Sequence, residues 1–159
     1  EIEKMSLDVI KKLNDSGIKC TVLTKGILPD SLAKCSKDNE YGITLISLNE
    51  EYREKMEPGS APYTDRIKAL KKLHEKGCKT WVSIEPYPTP NLIEQDLKKL
   101  LEVVNFVDKI IFGRTNYCKE VTSGYPNHKK FYNEKAKEVI DFCNKKGIAY
   151  HIKEKTITE

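Results

Sequence analysis

Three times along this chain an amphipathic helical run closes on a glycine and gives way to a short β-prone segment. KKLNDSGIKC at residues 11–20 is echoed by KKLHEKGCKT at 71–80 and, more weakly, by FCNKKGIA at 142–149. A glycine suits the residue after a helix because that position often takes positive φ, which a side chain opposes. The repeat therefore reads helix-then-strand three times over, and most other arrangements of secondary structure are excluded at once.

The remaining segments fill in the same alternation. Strands are expected at residues 19–24, 43–48, 80–85, 109–112 and 149–153. Helices are expected at 6–16, 29–36, 50–56, 64–76, 92–105 and 127–146. Ile67, Leu70 and Leu73, and then Leu97, Leu100, Leu101 and Val104, recur at helical spacing. Ser6 and Thr64 suit N-caps, and Pro29 suits a first helical turn. Strands alternating with helices over short connections make parallel sheet. No linker divides residues 1–159, which read as a single α/β domain. About five parallel strands fit either an open doubly wound sheet or a partial TIM-like βα-barrel. A dinucleotide fold needs a glycine-rich turn after its first strand, and Thr24-Lys25-Gly26 is not one; no Walker A sequence occurs. Polar residues collect instead where strands end, at Lys25, Ser47, Glu85 and Arg114-Thr115-Asn116, as in a barrel with its chemistry at the strand C-termini.

Composition narrows the class. No apolar run approaches the roughly 20 residues that span a bilayer, and no basic-plus-apolar leader opens the chain. The net charge of +4, from 28 Lys and Arg against 24 Asp and Glu, leans basic only over residues 129–155, too diffusely to argue for nucleic acid. The five cysteines, Cys20, Cys35, Cys78, Cys118 and Cys143, lack C-x-x-C spacing. Their odd number suits reduced thiols in the cytoplasm.

Several residues stand out as chemistry. Trp81, Ser83 and Glu85 share one face of their strand, with Thr80, Val82 and Ile84 on the other. In a barrel this leaves Ser83 and Glu85 in the lumen, with Glu85 beside the stiff loop Pro86-Tyr87-Pro88-Thr89-Pro90. Glu85 reads as a ligand group or as one half of a structural ion pair. Lys25 is a point charge for a carboxylate or phosphate, or a solvated strand-end lysine. Arg66 opens a helix, where the dipole does not favour it. Its partner is either Glu57 or a ligand carboxylate gripped by the guanidinium fork. The run Gly113-Arg114-Thr115-Asn116-Tyr117 suits gripping a substrate or a hydrogen-bonded turn. Cys118 gains interest only under radical chemistry, where a thiol donates a hydrogen atom. His74, His128 and His151 show no metal spacing.

Thr24-Lys25-Gly26, ITLISL at 43–48, MEPGSAP at 56–62 and DRIKAL at 65–70 together resemble consecutive motifs of radical S-adenosylmethionine (SAM) proteins, most of all the spore photoproduct lyase-like group. Glu57-Pro58-Gly59 followed by an Arg-headed helix is the most specific part, and the resemblance is strongest over residues 6–90. It implies a partial βα-barrel that binds SAM on a [4Fe-4S] cluster. It also implies one-electron cleavage of SAM to a 5′-deoxyadenosyl radical that takes a hydrogen atom from substrate. By the same resemblance Lys25 and Arg66 hold the methionyl carboxylate of SAM, Ser47 lines its amino-acid or ribose part, and Glu85 reaches a polar group. Arg114 and Asn116 lie where such barrels meet adenine or substrate.

The sequence departs from that family in one respect. Neither C-x-x-x-C-x-x-C, which holds the cluster after the family's first strand, nor a Gly-Gly-Glu-like segment occurs. With Glu1 rather than Met at its start, the chain is expected to be the C-terminal part of such a barrel, inactive alone. It would expose the edge of its first strand and self-associate there or cover the edge with its terminal helix. The alternatives are a cluster-free α/β binding or regulatory domain descended from such barrels, and a lyase using Lys25 as a Schiff base.

Overall fold

Gly17, Gly77 and Gly147, the glycines that close the repeated units, all take positive φ (75°, 76° and 70°) in the computed structural model. It describes residues 1–116 and 118–158, apart from the side chain of Thr122. The helices they close are α1 (Ile2–Asp15), α3 (Tyr63–Glu75) and α6 (His128–Lys146). Each leads within a few residues into a strand: β1 (Thr21–Thr24), β3 (Lys79–Tyr87) and β5 (Ala149–Ile152). Between them lie a 3-10 turn at Asp30–Lys34, β2 (Glu40–Thr44), α2 (Glu50–Met56), α4 (Leu97–Val103), β4 (Lys109–Arg114) and α5 (Lys119–Gly124).

The five strands form one sheet in the order β1-β2-β3-β4-β5, every neighbour parallel. This order decides between the two folds the sequence left open. A doubly wound sheet reverses its strand order to put helices on both faces. A sheet that runs in sequence with crossovers of one hand puts all its helices on one face, as in a barrel. Burial shows the result. Tyr41, Ile43, Val82, Ile84, Ile110 and Phe112 face the helices and are buried to within 1% exposure. On the opposite face Thr21, Leu23, Lys79, Ala149 and His151 are exposed, and Glu40 and Lys109 are half-buried. The architecture is a five-stranded partial βα-barrel with an open concave face.

On that concave face the single tryptophan lies flat against a glycine. Trp81 is 6% exposed, and a Cβ at Gly42 would come within 2.3 Å of its indole. Lys109 covers the other side, 5.7 Å from the ring centre. On the helix side, Asn39 is fully buried and joined to α1 by paired amide bonds with Asn14 of 2.9 and 2.8 Å. Its Oδ1 also accepts from the backbone N–H of Cys20.

Some expected boundaries move. The second strand occupies Glu40–Thr44 rather than 43–48. Its register is fixed by pairing with β3, and beyond Leu45, whose N–H still donates to Ser83, the chain turns into α2. The helix expected from 92 begins at Leu97, because Asp96 accepts from the N–H of Lys98 and caps it there. The helix expected over 29–36 is only the 3-10 turn. Helix α5 was not foreseen, since Val121 is the one buried residue among its described side chains and supplies no periodic stripe. Among the described residues no helix is long and apolar enough to cross a membrane.

Candidate cofactor site

Three groups of polar side chains gather where the strands end. The first surrounds Glu57, at the close of α2. Its side chain is 1% exposed, with Oε2 at 2.9 Å from Nη1 of Arg66 and Oε1 at 3.1 Å from Nζ of Lys25. A carboxylate so buried costs several kcal/mol unless compensated, and both cations serve it by proximity although neither contact has hydrogen-bond alignment. The segment is also fastened through its backbone: Ala61 N–H donates to Lys25 O, and Ser60 Oγ donates to Glu57 O.

Of the two partners the sequence left open for Arg66, the structure supplies Glu57. Arg66 is fully buried. Its Nε donates to Ala61 O and its Nη1 to Thr44 O, at 2.8 and 2.9 Å, and its Cζ lies 4.9 Å from the ring centre of Tyr63. Direct contact with a ligand carboxylate does not follow from this placement, because no part of the guanidinium reaches solvent. Lys25 differs: its side chain is 49% exposed and sits over an open hollow lined by Gly26, Met56, Pro58, Gly59 and Ser60.

The second group lies on the concave face. Glu85 points there as strand parity requires, 26% exposed, with Oε2 at 3.4 Å from Nζ of Lys153. Gly113 on β4 makes room for it: a Cβ at that position would stand 2.8 Å from Cγ and Cδ of Glu85. Sequence reasoning missed Lys153 and this use of Gly113. The signal for Lys153 was present, since it is two residues beyond His151 and therefore on the same face.

The third group follows β4. Arg114 Nε donates to Asn116 Oδ1 at 2.9 Å, so the two expected ligand residues hold each other. The backbone N–H of Thr115 donates to Tyr132 Oη, and both Thr115 Oγ1 and Tyr132 Oη donate to Tyr87 O. Burial raises the Tyr132 and Tyr87 phenols above their ordinary value, so both stay protonated at neutral pH. Tyr117, part of the same expected motif, lies outside the described residues. Cys118 donates to a carboxylate oxygen of Glu120 at 3.1 Å. Ser47 is 1% exposed and its Oγ accepts from Asn49 N–H, shaping the turn in which Asn49 caps α2.

The cluster implied by the sequence resemblance does not fit the residues of this chain. Cys143 lies on α6 and the other four cysteines in four separate connections, and among the described residues no three His, Cys, Asp or Glu side chains gather as a metal site.

Similarity to other proteins agrees with the fold. SuiB of Streptococcus suis superposes with a TM-score of 0.66 at 17% identity, over 92% of this chain and 35% of SuiB. The structure of SuiB bound to S-adenosylmethionine gives 0.66 at 18% identity, over 92% of this chain and 34% of that one. SuiB bound to precursor peptide SuiA gives 0.61 at 20% identity, with the same coverage. These likenesses show the fold. The uncharacterized protein ORF301 of Acidianus two-tailed virus is 26% identical over 103 residues, covering 62% of this chain and 34% of that protein. The chain thus spans about a third of the length of these relatives, and none of them singles out the spore photoproduct lyase-like group. The description of the Radical SAM superfamily matches residues 1–104, well over half of the sequence, and the chain belongs to that superfamily.

Proposed function

We propose that this chain forms the C-terminal strands of a radical SAM barrel and lines part of the SAM pocket, with the [4Fe-4S] cluster held by residues outside it. The observation that carries this reading is the placement of a half-exposed cation just past the end of β1 and of a carboxylate near the end of β3 on the concave face. Lys25 suits the methionyl carboxylate of SAM, and Glu85 suits its ammonium or ribose hydroxyls. Arg66 contributes by neutralising Glu57, which leaves the exposed Lys25 ammonium only partly engaged. Ser47 shapes the turn beside that pocket, and Arg114 with Asn116 forms a donor-rich rim for adenine or substrate. When bound, SAM supplies a 5′-deoxyadenosyl radical for hydrogen abstraction; the residues of this chain bind and orient it. The finer assignment to the spore photoproduct lyase-like group is supported by Glu57-Pro58-Gly59 and the Arg66 helix. A cytoplasmic setting is supported by the dispersed thiols.

A second reading, an α/β binding domain without a cluster, is favoured by the lack of any cysteine grouping. One experiment separates them. The longest natural reading frame containing this chain is reconstituted without oxygen and assayed for iron, sulfide and dithionite-dependent 5′-deoxyadenosine. Lys25→Ala and Glu85→Gln variants are assayed beside it. The first reading expects about four irons per chain and nucleoside formation that falls in both variants. A protein without iron that releases no nucleoside sinks it in favour of the second.

A further inference from the structure

The two edges of the sheet differ in chemistry. On β1, Glu40 N–H donates to Cys20 O, so alternation turns the amide groups of Thr21 and Leu23 to the open edge. That edge is flanked by exposed Ile2, Met5, Val9 and Ile27. On β5, Ala149 and Lys153 donate their N–H groups to Asp108 O and Phe112 O at 3.1 and 2.9 Å. Tyr150 and Ile152 therefore turn theirs outward.

The sequence on either side of β5 is basic. Three of the four net positive charges of the chain fall in residues 145–155, which hold four lysines against Glu154. Lys146 and Lys153 are partnered at 3.5 and 3.4 Å by Glu102 and Glu85. Lys145 and Lys155 have no ion pair among the described residues. Among the described residues, the chain beyond β5 does not cover the edge. It folds toward α6, where Thr158 exchanges two hydrogen bonds of 2.7 and 2.9 Å with Asn133, and Thr156 Oγ1 accepts from Arg114 N–H.

We propose that the β5 edge accepts an extended acidic peptide segment as an added strand. Such a strand bonds the N–H and C=O groups of Tyr150 and Ile152. Its alternate side chains lie beside exposed His151 on the concave face and beside Tyr150, 41% exposed, on the other. Lysines commonly guard a sheet edge against other strands. The same lysines reject basic segments and admit acidic ones, whose carboxylates meet Lys145 and Lys155. An apolar edge such as β1 needs permanent cover, whereas a wet, charged edge suits a partner that comes and goes. This inference does not rest on SAM binding, and its assay contains neither SAM nor iron.

The test is fluorescence anisotropy of the 159-residue chain with a labelled short peptide alternating valine and glutamate. Beside it run the same peptide with alternate amides N-methylated, its lysine counterpart, and a single-stranded oligonucleotide of equal charge. Expected is saturable binding of the acidic peptide alone, about tenfold weaker on N-methylation for the loss of about two hydrogen bonds. Lys145→Glu with Lys155→Glu weakens binding several-fold and flattens its salt dependence. Tyr150→Pro removes an edge donor outside the ladder and acts like N-methylation. Amide exchange at Tyr150 and Ile152, followed by NMR, slows when the peptide is added to the wild-type chain. The N-methylated peptide and the exchange measurement keep the test valid even where Tyr150→Pro fails to fold. Binding indifferent to N-methylation, binding of the oligonucleotide in place of the peptide, or no binding at all each overturns the proposal.

Discussion

Arg66 and Glu57 are a buried pair in a domain whose other charges mostly reach water. Truncating one member leaves the other uncompensated, a loss of about 3–5 kcal/mol for groups this buried. Arg66→Met should lower the free energy of urea unfolding by that order, while Arg66→Met combined with Glu57→Leu recovers most of it. Lys25 contributes little to stability because half of its side chain is in water, so Lys25→Ala should change the unfolding free energy by well under about 1 kcal/mol. A double variant as unstable as Arg66→Met would show that Arg66 acts through its bonds to Thr44 and Ala61 instead. At Gly113 the constraint is steric, since a Cβ there collides with Glu85. Gly113→Ala should therefore reduce SAM affinity as much as Glu85→Gln, by about tenfold for one charge-assisted contact. Calorimetric titration of SAM into the reconstituted protein reads this out, and unchanged affinity in both variants would remove Glu85 from the pocket. These residues were unequally legible in the sequence. Glu85 follows from strand parity, a local rule, and parity applied once more yields Lys153. The choice of Glu57 by Arg66 depends on how α2, α3 and the end of β2 pack, and neither residue carries that information locally.

At the scale of elements, the sequence located every strand but misplaced β2, because Glu40, Tyr41 and Gly42 look unlike a strand without their partner. Gly42 is there for Trp81. Its substitution by alanine sets a Cβ 2.3 Å from the indole, an overpacking that costs about 1–3 kcal/mol. Because Trp81 is the only tryptophan, its emission reports the change directly. The wild type should emit in the blue, as a buried indole does, and Gly42→Ala should shift red with a lower denaturation midpoint. Emission already red in the wild type would contradict the packing. The helix side of the sheet carries a second signature. Burial pushes Tyr41 and Tyr52 up to about 12 and raises Tyr63, Tyr87 and Tyr132 above the ordinary value. A phenol whose folded value lies above its unfolded value of about 10 stabilises the fold fully below pH 10. That stabilisation is lost as pH rises from about 10 toward 12, because the unfolded chain releases the proton first. The guanidinium midpoint should thus be level through neutral pH and fall steeply above about 10. Absorbance of tyrosinate should then rise together with unfolding; a simple titration near 10 in the folded protein would show these phenols to be wet.

At the scale of the whole molecule, barrel and doubly wound sheet share one pattern of elements and differ only in strand order, a long-range property. What the sequence offered was the distribution of polar residues at strand ends, and that pointed the right way. The sequential order has a consequence at β1. Parallel sheets are ordinarily covered on both faces and at their edges, yet here Thr21 and Leu23 face an unpaired edge beside Ile2, Met5 and Val9, which are 81%, 62% and 57% exposed. Helix α1 fully buries only Ile10 and half-buries Leu7 against the core, so Ile2, Met5 and Val9 stand uncovered beside β1. Further βα units of a longer protein, or a second copy when the chain stands alone, would bury both the strand and the helix. The 159-residue chain should therefore self-associate with concentration dependence in light scattering. Met5→Lys with Val9→Lys should return it to a monomer, because two buried ammonium groups are not tolerated in such an interface. Tyr150→Pro, which blocks the opposite edge, should leave the association intact. A wild-type chain that stays monomeric at high concentration, with slow amide exchange at Thr21 and Leu23, would mean that this edge is already protected and needs no partner.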